Sequence, residues 1–131
     1  MKGWLAALAM MAAGTAGADP AAIRGAIGGQ MEAFRAGDVE TAFDFAAPVI
    51  RRMFRTSDDF GAMVRRGYPM VWRPEGVEYL GADEAGPHWR QDVLVTDAAG
   101  RLHRLEYLMV ETADGWRIAG VRLLDAVEFG A

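Results

Sequence analysis

The fold turns on "HWRQDVLVTDAAGRLHRLEYLMVETADGWRIAGVRLL", residues 88–124. The stretch is rich in the β-branched, aromatic and aliphatic residues that suit extended strands, whose side chains alternate between two faces. Short turn sequences, "DAAG" at 97–100 and "TADG" at 112–115, divide it. They predict two consecutive antiparallel hairpins built from runs at about 88–96, 101–112 and 115–125, with a further run at 75–82 in front.

If each hairpin closes with a two-residue loop, Arg90 pairs with Tyr107, Leu94 with His103, Tyr107 with Gly120, and Leu105 with Arg122. A bulge would break this register. In it, one sheet face carries Arg90, Asp92, Leu94, His103, Leu105, Tyr107, Met109, Trp116, Ile118, Arg122 and Leu124. The other face carries Trp89, Gln91, Val93, Val95, Leu102, Arg104, Glu106, Leu108 and Val110. Both are too apolar for either to be simply wet, so helices are expected on one and a second protomer or a ligand over part of the other.

Upstream, from 19 to about 67, the apolar spacing becomes helical. Asp19 and Pro20 form an N-cap followed by proline at the first helical position. Ile23, Ile27, Met31 and Phe34 then line one stripe until Gly37. Gly28 and Gly29 within it would each cost roughly 1 kcal/mol relative to alanine, which favours a close packing neighbour. Asp38 caps a shorter helix with Ala42, Phe43 and Ala46 facing inward, and Pro48 precedes another apolar turn. Ser57 caps a third helix carrying Phe60, Met63 and Val64, stopped by Gly67 and Pro69. Helices first and an antiparallel meander second define one α+β domain, residues 19–131, with N-terminal helices packed on a curved antiparallel sheet. Nothing in the chain repeats or reads as a linker.

The start, "MKGWLAALAMMAAGTAGADP", has a charged Lys2, an apolar stretch from Trp4 and the small residues Ala16, Gly17 and Ala18. This is the layout of a cleavable secretory signal over 1–18, cut after Ala18, with an uncleaved anchor as its alternative. The chain of 131 residues contains no cysteine, which excludes disulfides, thiolate metal sites and cysteine nucleophiles. Export without disulfides suits a bacterial periplasm, or secretion, with no membrane attachment once the leader is cut. A net charge of −4 with only short arginine pairs argues against nucleic acid as a partner.

Three segments, "AFRAGDVETAFDFAAPVIRRMF", "FGAMVRRGYPMVWRP" and "LEYLMVETADGWRIAGVRLL", resemble the bacterial family called domain of unknown function 4864. The resemblance covers most of residues 23–124. That family is similar to the wider nuclear-transport-factor-two-like, or cystatin-like, superfamily of cone-shaped α+β domains, so the resemblance implies a cone. Some members of that superfamily are enzymes and many only bind a ligand or partner. No catalytic motif carries over residue by residue, and fold alone does not fix function.

Motifs of other chemistries are missing: no nucleophile elbow, no HExxH helix, no glycine-rich phosphate loop and no EF-hand loop. With two histidines, His88 and His103, and no clustered methionines among Met31, Met53, Met63, Met70 and Met109, neither a metal site nor any cofactor is expected. One constellation remains. Arg90, Asp92, His103, Tyr107 and Arg122 share a face in the register above, where they could orient a small ligand, or His103 could act as a base held by Asp92. The alternative is an Asp92–Arg122 cross-strand ion pair of little energetic weight.

The segment "MVRRGYPMVWRP", 63–74, raises a second set. Arg65 and Arg66 fall in the last helical turn, where positive charge complements the helix dipole. Pro69 and Pro74 are expected to hold the link extended and deliver Tyr68, Trp72 and Arg73 to a pocket rim, unless the segment is a hinge only. Tyr68, Trp72, Arg73, Arg90, Tyr107 and Arg122 are therefore the ligand-binding candidates, for an apolar or anionic molecule. Two function classes follow. One is an exported small-ligand-binding or protein-interaction module, with a homodimer through a sheet face. The other is a small hydrolase, isomerase or dehydratase using His103 with Asp92 or Tyr107.

Overall fold

The computed structural model describes residues 18–124; all of the predicted leader except Ala18 lies outside them. Helix α1, Pro20–Arg35, starts where the Asp19 carboxylate accepts hydrogen bonds from the amides of Ala21 and Ala22, satisfying two donors that a helix start leaves free. It ends at Gly37, whose φ of 75° suits glycine. Ile23, Ile27, Met31 and Phe34 are buried as the spacing predicts. The paired glycines have the expected close neighbour: a Cβ on Gly29 would lie 2.6 Å from the Phe45 ring.

Helix α2, Val39–Asp44, is capped by Asp38, which accepts from the Thr41 amide at 3.1 Å. After α3, Pro48–Arg51, comes α4, Ser57–Gly67. Its cap is Thr56 and not Ser57: Thr56 is extended and its hydroxyl accepts from the Asp59 amide at 3.1 Å, while Ser57 is already helical. The following link is also not extended as expected. Pro69 opens a further turn of helix, α5, Pro69–Trp72, because the fixed φ of proline suits a first helical position.

The sheet is four antiparallel strands in the order β1, Gly76–Ala85; β2, His88–Thr96; β3, Leu102–Thr112; β4, Gly115–Leu123. It is curved and does not close. The helices pack on one face, and Phe34 ties them together, stacked on Trp72 at 4.8 Å and on Phe60 at 6.0 Å between ring centroids.

The register corrects the predicted one in two places. Between β2 and β3 the loop has three residues, Ala98 to Gly100, closed by hydrogen bonds from the Asp97 amide to the Arg101 carbonyl and from the Gly100 amide to the Asp97 carbonyl. Gly100 has φ 83°, the left-handed residue that ends such a loop. Gln91 therefore lies opposite Tyr107, and Val95 opposite His103. Between β3 and β4 the loop does have two residues, with Thr112 opposite Gly115, but the pairing shifts from Met109–Ile118 to Leu108–Gly120. Ala119 is the extra residue of a bulge, so Tyr107 faces Val121 and Leu105 faces Leu123.

Because the side-chain period is two, the first slip moves the β2 residues to the other face, and the bulge moves the β4 residues beyond Ala119. Val93, Val95, Leu105, Tyr107, Met109, Trp116 and Ile118 are buried on the helix side. Arg90, Asp92, Arg104, Glu106 and Arg122 share the outer side.

Candidate functional site

Between the helices and the inner sheet face lies a cavity of about 240 Å³. Packed interiors hold few voids larger than one water molecule, whose share of liquid volume is about 30 Å³, so this space is several times larger than a packing defect. Phe34 and Gln30 of α1 and Phe60, Met63 and Val64 of α4 form one side; Tyr107 of β3 with Ile118, Gly120 and Val121 of β4 form the other. Ile50, Met53 and Phe54, in and after α3, complete the wall with Tyr68 and Val71. Met53 is 68% exposed while also lining the cavity, which puts the mouth there. The bulge helps to make the site, since it places Val121 rather than Gly120 opposite Tyr107 on the inner face.

Among the described residues, no charged side chain and no histidine lines this space. Three lining side chains among the described residues carry polar groups. The Tyr68 hydroxyl donates to the Val121 carbonyl at 3.2 Å. Gln30 is 5% exposed, and its amide nitrogen donates to the Ala42 carbonyl at 3.0 Å; its oxygen takes no protein donor among the described residues. Tyr107 is 1% exposed, and among the described residues its hydroxyl has no hydrogen-bond partner. Burial, with smaller contributions from Tyr79 and Tyr68, pushes its phenol far above the ordinary range, so it stays a neutral O–H group.

Of the sequence-predicted ligand-binding residues, the cavity gathers Tyr68 and Tyr107. Trp72 is buried behind the wall, stacked on Phe34 with the Arg65 guanidinium 4.2 Å over its ring; Arg65 thus does more than complement a helix dipole. Arg73 is exposed at the end of α5 and lines no part of the cavity. The expected constellation on one face is split by the two slips. Arg90 pairs with Asp83 at 3.1 Å, Asp92 with Arg104 at 3.0 Å and Arg122 with Glu106 at 2.8 Å, all on the outer side.

His103 is held 2.8 Å from Asp97, not Asp92, at the β2–β3 loop. Asp97 also accepts from the amides of Ala99 and Arg101. The His103 bond first, and the Arg101 amide second, hold its carboxyl below the usual carboxylate range. This pair fastens a turn. His103, Asp92 and Tyr107, the three catalytic candidates, are therefore apart: one at the loop, one on the outer side, one in the cavity. Among the described residues no cluster of three or more histidine, aspartate or glutamate side chains could hold a metal ion, and no helix is long and apolar enough to cross a membrane.

Sequence reasoning missed Gln30. A signal was present, since Gln30 stands three residues after Ile27 and four before Phe34 on the apolar stripe of α1, where a polar residue needs a partner. The acidic partners Asp83, Asp97 and Glu106 depend on the register and carry no such local signal.

Among solved structures, the chain is similar to an NTF-2 like protein of unknown function from Burkholderia xenovorans LB400. The identity is 17%, over 83% of this chain and 88% of that one, with a TM-score of 0.49. No curated protein matches it. The family model described as "Domain of unknown function (DUF4864)" matches residues 16–131, and the chain belongs to that family.

Proposed function

We propose that this chain is an exported module that holds a small, neutral, largely apolar molecule in the cavity between its helices and its sheet. The observation that carries this reading is the cavity itself, about 240 Å³ with largely apolar walls, in which the Tyr107 hydroxyl bonds to no other described residue. A bound molecule with an acceptor gives that hydroxyl a partner. Apolar walls with a few placed polar groups are the usual composition of small-molecule sites. The uncharged lining favours a neutral occupant over the anionic one that arginine candidates suggested, because a buried anion without a counter-charge is strongly disfavoured. Export rests on the leader-like residues 1–18, and for an exported chain the absence of cysteine suits a bacterial periplasm.

Catalysis by a His103–Asp92–Tyr107 group has no support in this geometry, since the three side chains do not meet. The test is native mass spectrometry of residues 19–131 purified from the periplasm, beside a Val64→Phe variant that fills the cavity. A small molecule carried by the native chain and missing from the filled variant supports the reading. An empty native chain that also fails to take up apolar probes overturns it.

A further inference from the structure

Resting on the ligand-binding reading above, we propose that the molecule held is a neutral alcohol or phenol whose hydroxyl group is shared by Tyr107 and Gln30. The two side chains offer complementary chemistry to one space. Gln30 donates through Nε2 to the Ala42 carbonyl at 3.0 Å; a carbonyl can only accept, so this bond fixes which way round the amide lies and leaves Oε1 as an acceptor. Tyr107 brings an O–H group with no protein acceptor among the described residues, and burial keeps its proton in place. The third polar group, the Tyr68 hydroxyl, is already committed as a donor to Val121.

An occupant that pairs with both accepts from Tyr107 and donates to Gln30. A hydroxyl does both with one atom. A ketone or an ether satisfies Tyr107 and leaves Gln30 unpaired. A hydrocarbon leaves both unpaired. A carboxylate would satisfy Tyr107 but bring a charge to walls that hold no cation among the described residues. Size narrows the class further: a dry cavity of about 150 Å³ takes benzene, so about 240 Å³ takes a ring with a short chain or a body of similar bulk. Met53 at the mouth adds a flexible, polarisable thioether that adapts to such a body.

Four matched probes separate the cases by calorimetric titration of residues 19–131: 4-propylphenol, 4-propylanisole, propylbenzene and 4-propylbenzoate. The expected order has propylphenol tightest, by roughly tenfold over anisole and hydrocarbon, the factor that one or two net hydrogen bonds provide. Tyr107→Phe should erase most of the preference for phenol over hydrocarbon. The isosteric change removes an unpaired polar atom, so the variant folds. Equal binding of propylphenol and propylbenzene, or tightest binding of the benzoate, overturns the hydroxyl assignment and leaves the cavity reading standing. Failure of all four probes, together with an empty native chain, removes both.

Discussion

The two faces of the sheet are built from the same four strands, yet they use polar residues in opposite ways. On the outer face six charges pair across the strands: Arg90 with Asp83, Asp92 with Arg104, Arg122 with Glu106. On the inner face the polar groups are few, neutral and deep, and the Tyr107 hydroxyl has no partner among the described residues. Water and neighbouring charges make outer pairs nearly interchangeable in energy, whereas an inner hydroxyl that bonds to no described residue is left for whatever enters the cavity. The lesson is that a functional face is marked less by the number of its polar groups than by what they lack.

The harshest way to break this contrast is to move residues between faces. Deleting Ala99 would shorten the three-residue β2–β3 loop to two and slip β2 by one position, turning Val93 and Val95 outward and Arg90 and Asp92 inward. Loss of the cooperative thermal transition is expected; a normal melt would show that loop length does not set the faces. Next comes Phe34→Ala. Phe34 is 0% exposed and stacked on Trp72 and Phe60, so truncation should cost about 3–5 kcal/mol in urea unfolding. A loss under about 1 kcal/mol would show that the aromatic cluster collapses around the gap.

Tyr107 sharpens the comparison through pH. Below pH about 10 the phenol is neutral both folded and unfolded, and the raised value adds no pH dependence. Above it, the unfolded chain releases a proton that the folded chain retains, so stability falls as pH rises, by up to about 1.4 kcal/mol per pH unit for one such group. Tyr107→Phe should flatten that alkaline loss in denaturant titrations, leaving a residue from Tyr79, whose phenol burial also raises. An unchanged slope would mean that Tyr107 ionises freely in the fold. The smallest effect belongs outside. A double-mutant cycle on Glu106→Gln and Arg122→Gln should give a coupling below about 1 kcal/mol that fades in high salt. A coupling well above that would put the outer face on a footing with the inner one.

How much of this was legible before folding depends on whether the signal is local. The Asp19 and Asp38 caps, the stripe from Ile23 to Phe34 and the two-residue turn after Thr112 are written within a few residues of where they act. The slips are not. "DAAG" is compatible with a two- or a three-residue loop, and only the glycine at its end, in a left-handed conformation at φ 83°, marks the longer one. The Ala119 bulge has no sequence mark at all, since alanine is at home in either geometry. Those two single-residue events decided which polar residues met. Tyr68 and Tyr107 were therefore legible as cavity-lining residues by type and position, whereas the grouping of Tyr107 with Arg90, Asp92 and Arg122 depended on a parity that a single residue inverts. Trp72 was misplaced for another reason: Pro69 could stop one helix or begin the next, and here it begins one.

The open sheet leaves two rims, and each is closed to strangers by a different means. Along β4, the segment Phe45 to Ala47 lies beside Ile118, which donates to the Phe45 carbonyl and accepts from the Ala47 amide, both at 2.8 Å. Along β1, the pairing is interrupted between Tyr79 and Ala82, where Gln91 reaches across to the Leu80 and Gly81 carbonyls, and Glu78, Asp83 and Glu84 are exposed. A strand edge is a template on which another copy can polymerise, and irregularity together with like charge is how natural sheets refuse it. A chain of nearly neutral mean hydropathy, +0.03, that keeps an apolar hollow open to solvent thus has its guard against fibril growth built into the borders of the sheet, away from the hollow itself.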